Sequence, residues 1–462
     1  MTVQQNALAL KESVSPSVLH PALRHAWQPI VDMQNGVVYG FEALLRGYQA
    51  AGYPSIQSVF DGAYEADEIV ATELALYERA MRAFRAIPEA DGRKLFLNID
   101  GRLFDDPHFD VAEMVTLADK VGLPRSSVSL ELSEQHKTAS AIRSKEIVNT
   151  IRAAGMRIAL DDFGQGFSEL KLLYAFAPEC VKIDRFFISG IAQSARKRLF
   201  VSTVVNLAHV LGAVVVAEGV ETAEDFEACR RIGCDLAQGY FIMPPINDPA
   251  EIRGDYSHLR LSETKRRNAS NLDAELVRSE IEGVLPLEET ATLPEVFVRF
   301  RDEPNQTMFP VVDASGEPRG LIHERDFRAY IYNQFGRDIL SNRTYGKHLR
   351  DFTLRAPVVD MTTSVEKIIE TFAGSSAADG VIVTEGRRYV GLLSSTALLK
   401  IMNEKRLMAA QDQNPLSHLP GNSSIAARIA AAAANDGATR AFCYFDFNHF
   451  KPFNDAYGFR LG

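Results

Sequence analysis

Short apolar runs that end in a polar residue recur along the first half of the chain. Runs of this length are typical of buried strands, and the segments between them carry apolar residues at helical spacing. Seven such runs have a carboxylate, an amide or a lysine at their ends. They are Val37–Glu42, Leu95–Asn98, Val128–Glu131, Arg157–Asp162, Cys180–Asp184, Val214–Glu218 and Asp235–Gln238. Together with Ala26–Val31 they make eight candidate strands.

Helices are predicted between these strands, most clearly over Thr72–Ile87, Ala139–Ala154 and Arg198–Leu211. Eight strands that alternate with helices predict an α/β fold of the TIM-type (β/α)8 barrel class. An open doubly wound sheet is the alternative. It would carry a glycine-rich phosphate-binding turn after its first strand, and this sequence has no such turn there.

The polar ends of the strands indicate a metal site, because barrel enzymes keep their active sites at the carboxyl ends of the strands. Several carboxylates in one place are unfavourable unless cations hold them. The oxygen donors of Glu42, Asn98, Glu131, Asp161 and Asp162 suit Mg²⁺ or Mn²⁺ better than zinc. Simple alternation would point the two adjacent aspartates to opposite faces, so we expect the chain to turn there and both to reach metal.

Two metal ions in such a site would suit an in-line displacement at phosphorus. Lys182 would orient the attacking water or neutralise the phosphoryl group, and Glu218 would serve as a metal ligand or as the base. We therefore expect phosphodiester hydrolysis, with Lys182, Glu218 and Asp162 as the catalytic residues. A single acidic strand end is more often a helix cap or a surface charge, but a series of seven is hard to explain in that way.

Composition narrows the class of protein. A chain of 462 residues favours several domains, and a net charge of −10 argues against nucleic acid as the main partner. The four cysteines form no metal-binding pair, and Cys180 is predicted to be a buried thiol. Low cysteine use, no apolar run of roughly 20 residues and no signal peptide predict a cytoplasmic protein without a membrane segment.

The pattern changes after the eighth candidate strand. Two segments, which begin at Pro310 and Gly380, share the order strand, turn, strand, helix and form an internal tandem repeat. We predict five parts: a leader at 1–19, the barrel at 20–258, a linker at 259–271, the repeat at 272–407, and a helix with a short fragment at 408–462.

The motifs of the barrel segment resemble those of the EAL domain family. Phe41–Gly47 reads FEALLRG, and QPI, LNI, LELSE, DDFG, VKID, AEGVE and QGYFIMPP stand in the family's order. The resemblance implies a phosphodiesterase that opens cyclic-di-GMP to pGpG with Mg²⁺ or Mn²⁺. It implies that Lys182 assists the nucleophilic water and that the metal ligands are Glu42, Asn98, Glu131, Asp161 and Asp162, with Glu218 as a further metal ligand or the general base.

The same resemblance assigns residues to the substrate. Arg46 would hold a phosphate, Gln28 would contact the substrate nearby, and Glu221 and Gln238 would line the site. Glu134 would brace the loop that follows Asp162.

That loop departs from the family pattern. It reads DDFGQGFSEL where active members carry approximately DDFGTGYSSL, so that Gln165 and Glu169 are variant positions. In the family this loop couples dimer contacts to the metal site, and the departure therefore concerns the level of activity. One alternative is a catalytically silent cyclic-di-GMP receptor, although such members commonly lack a metal ligand. Another is a metal-dependent phosphodiesterase for a different nucleotide.

The repeat resembles a tandem pair of CBS domains, which implies a regulatory or dimer-forming module that senses adenine nucleotides. Each half lacks one expected element of the nucleotide site. The first half has Asp326, but His323 stands where a hydroxyl is expected. The second half has Ser394, but Ala397 replaces the aspartate. A purely structural spacer is the alternative. Both resemblances favour a homodimer, and twofold symmetry is the commonest arrangement.

Two motifs lie near the end of the chain, NPLSHLPGN at Asn414–Asn422 and FDFNHFKPFNDAYG at Phe445–Gly458. They resemble the start of a GGDEF (diguanylate cyclase) domain. The resemblance implies that Asp446 is a metal ligand and that Asn454 and Asp455 bind guanine. The hairpin that names this family is absent from the sequence, so we expect no cyclase reaction from this chain.

Overall fold

The computed structural model describes residues 19–88, 90–133, 141–164, 169–248, 251–259, 273–331, 333–341, 348–375 and 379–411, and beyond these a few single positions and residues 448–457. It forms two compact units, residues 1–401 and residues 402–462. None of the helices among the described residues has the length and apolar character needed to cross a bilayer.

A closed barrel of eight strands forms the first half of the larger unit, as the sequence predicted. The strands follow one another around the barrel in chain order: β1 (Arg24–Asp32), β2 (Val38–Arg46), β3 (Lys94–Ile99), β4 (Val128–Ser133), β5 (Arg157–Phe163), β6 (Cys180–Ile183), β7 (Val214–Ala217) and β8 (Leu236–Ala237). The helices between them are α1 (Ile56–Glu65), α2 (Ile69–Arg85), α3 (Val111–Val121), α4 (Ala141–Ala153), α5 (Glu169–Phe176), α6 (Arg185–Ile188), α7 (Ala195–Val210) and α8 (Ala223–Ile232).

The first strand runs against the others. β1 pairs antiparallel with both β2 and β8, whereas β2 to β8 are mutually parallel. A tight turn joins β1 to β2, and Asp32 Oδ1 accepts hydrogen bonds from the backbone N–H groups of Gln34 and Asn35 in that turn. The register of this hairpin sets Gln28 of β1 opposite Glu42 of β2. The middle of β1 therefore lies at the level where the parallel strands carry their polar residues.

The barrel interior holds an apolar layer. Its buried side chains come from alternate positions on different strands, as in other barrels of this class, and they are Ile30, Phe96, Ala159, Cys180, Val216 and Leu236. A larger core lies outside the barrel, between the strands and the helices, and includes Trp27, Phe41 and Phe84. The predicted buried thiol of Cys180 is confirmed.

The segment at 273–401, which we call the repeat module, contains two similar halves. The elements are β9 (Leu287–Glu288), α9 (Leu293–Asp302), β10 (Met308–Val312), β11 (Pro318–His323), α10 (Glu324–Ile331), α11 (Gly336–Ser341), β12 (Val358–Asp360), α12 (Val365–Gly374), β13 (Gly380–Glu385), β14 (Arg388–Ser394) and α13 (Ser395–Gln411). Each half has a three-stranded sheet, ordered β11-β10-β9 and β12-β13-β14, with one parallel pair and one antiparallel hairpin. The smaller unit contains α14 (Phe450–Tyr457).

The two β-hairpin turns of the repeat module meet the barrel at the amino ends of its parallel strands. Lys94 begins β3 and Arg157 begins β5, and both side chains are buried. Lys94 Nζ lies 3.1 Å from Asp313 Oδ2, and an Arg157 Nη2 lies 2.6 Å from Glu317 Oε2. Arg157 also pairs with Asp313, and the hydroxyl of Tyr39 donates to Glu317 over 3.0 Å. Carboxylates of the module thus neutralise the cations of the barrel.

The turn of the second hairpin adds a cation to this network. Arg387 has a backbone φ of 66°, and its guanidinium lies 5.3 Å from the centre of the Tyr39 ring. It also lies 3.7 Å from carboxylate oxygens of Asp235 and Glu317. Burial alone would raise the pKa of Glu317, but Arg157, Lys94 and Arg387 lower it to about 2. The carboxylate is therefore ionised at neutral pH, and both halves of the module reach one buried charge network under the barrel.

We expect Arg157→Met to destabilise the protein strongly, because it leaves the buried carboxylates of Asp313 and Glu317 with one cation fewer. Breaking a buried pair from one side typically costs about 3–5 kcal/mol. Urea unfolding at pH 7, followed by circular dichroism, measures this loss. The matched control is Arg125→Met, which removes an exposed pair with Asp119 and should leave the midpoint nearly unchanged. Equal midpoints for the two variants would show that the network contributes no stability.

Candidate functional site

A single lysine stands at the centre of the carboxylates at the opposite mouth of the barrel. Strand β6 carries Lys182 inward, and its side chain is 1% exposed. Its Nζ atom lies 2.7 Å from Glu131 Oε1, 2.7 Å from Glu218 Oε1, 2.9 Å from Asp161 Oδ1 and 3.2 Å from Glu42 Oε2. Four carboxylates therefore share one ammonium group, and the cluster holds a surplus of negative charge.

Burial and this surplus of negative charge raise the pKa values of several carboxyl groups in the cluster. Burial, together with the neighbouring Glu42, raises the pKa of Glu131 well above its ordinary value, and burial does the same for Glu218. Burial, Asp161 and Asp184 raise the pKa of Asp162 to about 6. Burial would also raise the pKa of Glu42, but Lys182 and a hydrogen bond from Gln238 hold it below the ordinary value. A further cation would relieve these shifts.

A bulge brings the two adjacent aspartates to the same place. The pairing of β5 with β6 shifts register between Leu160 and Phe163, and Asp162 has a backbone φ of 53°. Such a bulge puts one extra residue on one strand, and an aspartate tolerates the left-handed conformation better than most residues do. Carboxylate oxygens of Asp161, Asp162 and Glu218 all lie within 4.8 Å of one another. The expected turn at this strand end is therefore present.

The donor set fits a divalent metal. All six sequence-predicted ligands offer oxygen atoms, which Mg²⁺ and Mn²⁺ prefer. Both carboxylate oxygens of Glu131 are buried, and neither accepts a hydrogen bond of good geometry from the described residues, although Lys182 lies close. Asn98 lies at the mouth, where its Nδ2 donates to Glu42 Oε1 over 3.3 Å. Buried carboxylate oxygens without such donors are suited to bind a cation.

Two linked glutamines fix the carboxylate of Glu42 on its side that faces the barrel interior. Gln238 Nε2 donates to Glu42 Oε2 over 2.6 Å and to Gln28 Oε1 over 3.0 Å, and Gln28 Nε2 donates to the carbonyl of Met243 over 3.2 Å. Both glutamine side chains are buried. The structure thus brings these predicted substrate residues next to a predicted metal ligand, where they fix the orientation of its carboxylate.

The other predicted substrate residues lie further out. Arg46 ends β2, and its guanidinium donates to the carbonyl of Leu45 over 2.9 Å. Glu221 is exposed and pairs with Arg185 over 2.5 Å, so it does not join the carboxylate cluster. Glu134 and Gln165 lie outside the described residues, as does the side chain of Glu169.

A cavity of about 330 Å³ opens beside the cluster. Its lining includes the cluster residues Glu42, Asn98, Asp161 and Asp162, and also two residues of α2, Glu73 and Tyr77, which the sequence analysis missed. Both lie in the interior of an amphipathic helix, where a polar side chain gives no motif. Their spacing of four residues, which places them on the buried face, is the one signal that could have indicated them.

The predicted nucleotide residues of the repeat module have contacts within it. Ser394 Oγ donates to Glu282 Oε1 over 2.5 Å and accepts from the backbone N–H of Ala397. His323 is buried, and its Nδ1 lies 3.2 Å from Asp379, which comes from the other half. Asp326 lies in the first turn of α10 and is half-buried. In the smaller unit, Asn454 is buried and Asp455 is exposed on α14, whereas Asp446 lies outside the described residues.

Comparisons with known proteins identify both parts of the larger unit. A family model described as EAL domain matches residues 11–245, about half of the chain, and one described as CBS domain matches residues 277–333 and 349–404. Two relatives come from Pseudomonas aeruginosa. The cyclic di-GMP phosphodiesterase PA2567 is 30% identical over 250 residues, which are 53% of this chain and 42% of the relative. The cyclic di-GMP phosphodiesterase RocR is 37% identical over 124 residues, which are 27% of this chain and 32% of the relative.

Solved structures give similar matches. The EAL enzyme Bd1971 in its cAMP-bound form is 27% identical, with a TM-score of 0.48 over 54% of this chain and 69% of that one. The PaMucR phosphodiesterase in complex with c-di-GMP is 29% identical, with a TM-score of 0.44 over 50% of this chain and 94% of that one. The chain spans less than half the length of either relative from Pseudomonas aeruginosa. On its family match over residues 11–245, the chain belongs to the EAL domain family, and it carries a tandem pair of CBS domains after the barrel.

Proposed function

We propose that this chain is a metal-dependent phosphodiesterase that hydrolyses cyclic-di-GMP to pGpG. The observation that carries the proposal is the convergence of Glu42, Glu131, Asp161 and Glu218 on Lys182, with Asp162 and Asn98 beside them. The names of the relatives, which are cyclic di-GMP phosphodiesterases, support this choice of substrate.

We propose Mg²⁺ or Mn²⁺ as the cofactor, in a two-metal site held by Glu42, Asn98, Glu131, Asp161, Asp162 and Glu218. When bound, the metal ions would activate a water molecule and stabilise charge on the phosphodiester oxygens. The buried and under-bonded oxygens of Glu131 support this assignment, as does the mutual proximity of Asp161, Asp162 and Glu218.

Residues of the chain would divide the remaining work. Lys182 would orient the attacking water and neutralise the phosphoryl group. Four carboxylates hold its ammonium group in one position, which suits it to this role. As the alternative to holding a metal ion, Glu218 would take the proton from the water. Arg46 would hold a phosphate at the rim, while Gln28 and Gln238 would keep Glu42 oriented from below. Glu221 would join the site only after it leaves Arg185.

The repeat module is proposed to regulate the barrel or to support a dimer. Its buried contacts with Lys94 and Arg157 support a regulatory role, because β3 and β5 also carry Asn98, Asp161 and Asp162 at their other ends. Exposed apolar side chains on the barrel support a homodimer: Leu170 is 63% exposed, Tyr174 85% and Phe186 69%. A stable interface buries such side chains.

The other assignments rest on the sequence alone. We propose the boundaries 20–258, 259–271, 272–407 and 408–462 for the barrel, linker, repeat and terminal segment. The proposal that the terminal segment begins a GGDEF domain, with Asp446, Asn454 and Asp455 as remnants of its site, rests on its motifs.

We expect the full chain to convert cyclic-di-GMP to pGpG with Mn²⁺ or Mg²⁺, and Glu42→Ala to reduce turnover at least a hundredfold, because it removes a proposed ligand and a partner of Lys182. Chromatography of the nucleotide products measures both rates. Glu78→Ala, which alters a half-buried carboxylate on α2 that pairs with Arg82 outside the cluster, is the control and should keep full activity. Tight binding of the dinucleotide without product would instead identify a silent receptor, in which the variant loop with Gln165 and Glu169 has disabled catalysis.

We expect Lys182→Met to lower the melting temperature in chelator, because four buried carboxylates then lose their shared cation. Added Mn²⁺ should raise the melting temperature of this variant more than that of the wild type, since a metal would replace the missing positive charge. Differential scanning fluorimetry with and without Mn²⁺ measures the two shifts. Lys120→Met, which alters an exposed lysine, should respond to Mn²⁺ as the wild type does. A Lys182→Met variant that is insensitive to Mn²⁺ would contradict a metal site at this cluster.

We expect an adenine nucleotide to bind the repeat module if its sensing role holds. Calorimetric titration of the full chain with AMP, ATP and S-adenosylmethionine measures this. Asp326→Ala should abolish the heat, because the aspartate is the proposed ribose partner, whereas Asp302→Ala on the exposed end of α9 should not. The absence of heat with all three ligands would favour a structural spacer.

A further inference from the structure

Strand β3 loses one of its neighbours just before it reaches the metal site. In the described ladder, β2 pairs with β3 only through Lys94, Leu95 and Phe96, because β2 continues along β1 to Arg46. Beyond this point β3 carries Asn98, the predicted ligand, and Asp100 follows the strand directly. Backbone groups at this end of β3 therefore need partners from elsewhere, since unpaired buried groups are costly.

Helix α2 supplies these partners with two side chains that lie four residues apart. The hydroxyl of Tyr77 donates to the backbone carbonyl of Asn98 over 3.1 Å. The Oε1 atom of Glu73 accepts from the backbone N–H of Asp100 over 3.0 Å. Glu73 and Tyr77 are themselves hydrogen-bonded to each other, and both are almost fully buried. Ile99 is the residue after Asn98, and the two side chains hold the peptide groups on either side of it.

We propose that Glu73 and Tyr77 are positioning residues for the metal site, which fix the end of β3 so that the Asn98 side chain meets the metal. This inference rests on the proposed function, since it requires a divalent cation at the mouth of the barrel. Among the described residues, their hydrogen bonds go to the backbone of Asn98 and Asp100 and none goes to a carboxylate of the cluster, so their effect passes through the backbone. Partners that orient a metal ligand typically contribute about 10- to 100-fold to metal affinity.

The protonation of Glu73 agrees with this geometry. Burial raises the pKa of its carboxyl group to about 8. When protonated, the acid would donate to the oxygen of Tyr77, whose hydroxyl donates to the Asn98 carbonyl, while Glu73 Oε1 accepts from the backbone N–H of Asp100. A glutamine reproduces this pattern of one donor and one acceptor, and it is therefore the conservative substitution that separates hydrogen bonding from charge.

The test measures binding of Mn²⁺ alone to the full chain by isothermal calorimetry, together with the melting temperature in chelator. Tyr77→Phe and Glu73→Ala should each weaken Mn²⁺ binding about tenfold. Glu73→Gln should bind within about twofold of the wild type, because it keeps both hydrogen bonds. In activity assays, Tyr77→Phe should need about tenfold more Mn²⁺ for half-maximal rate, with kcat at saturating Mn²⁺ nearly unchanged.

Phe84→Leu is the control for general loosening of the helix. Phe84 lies on the same buried face of α2 but packs against Trp27 and Phe41, away from Asn98. It should lower the melting temperature and leave Mn²⁺ affinity unchanged. The proposal is overturned if Tyr77→Phe binds Mn²⁺ like the wild type, or if Phe84→Leu weakens binding as much. A wild-type chain that binds no Mn²⁺ would overturn the proposed metal site as well, which distinguishes the two failures.

Discussion

The arrangement of the barrel mouth depends on the position of one buried ammonium group. Lys182 is buried in the barrel interior, and four carboxylates surround it. The net charge of this cluster is therefore negative unless protons or metal ions compensate. The bulge at Asp162 increases that surplus by adding a fifth carboxylate, and the glutamines below Glu42 hold one of the five at a fixed angle. A fold that concentrates like charges in this way sacrifices stability for a site that attracts cations.

The barrel carries a second buried charge network at its other end, and one apolar layer separates the two. At the amino ends of the parallel strands, Lys94 and Arg157 of the barrel pair with Asp313 and Glu317 of the repeat module, and Arg387 of the module adds a further cation. Single strands connect the networks: β5 begins with Arg157 and reaches Asp161 four residues later. The two charge networks are therefore joined by single short strands of the barrel.

The sequence predicted the strands and helices well, because alternating polarity and helical periodicity directly reflect which face is buried. It also located the carboxylate cluster, since strand ends in a parallel barrel converge. It could not reveal that β1 is antiparallel, because the apolar pattern of a strand is the same in either direction. The role of Glu221 was expected from a motif, whereas the structure pairs its side chain with Arg185 at the surface.

Contacts that join distant parts of the chain were the hardest to predict. Lys94 and Arg157 look like ordinary charged residues at strand starts, and their partners lie more than 150 positions away. Glu73 and Tyr77 are hidden in a helix whose periodicity already explains their burial. In both cases the role of the residue depends on its partner in the fold, and a local sequence pattern does not identify that partner.

The lower network also bears on how such proteins diverge. Family membership is defined by residues 11–245, but the buried charges that close the barrel are completed by residues 313–317. The segment that defines the family is therefore shorter than the segment whose buried charges balance. This barrel, if transferred onto another partner domain, would bring Lys94 and Arg157 without their counter-ions. Exchange of whole domains should succeed only where the hairpin acids are exchanged with them.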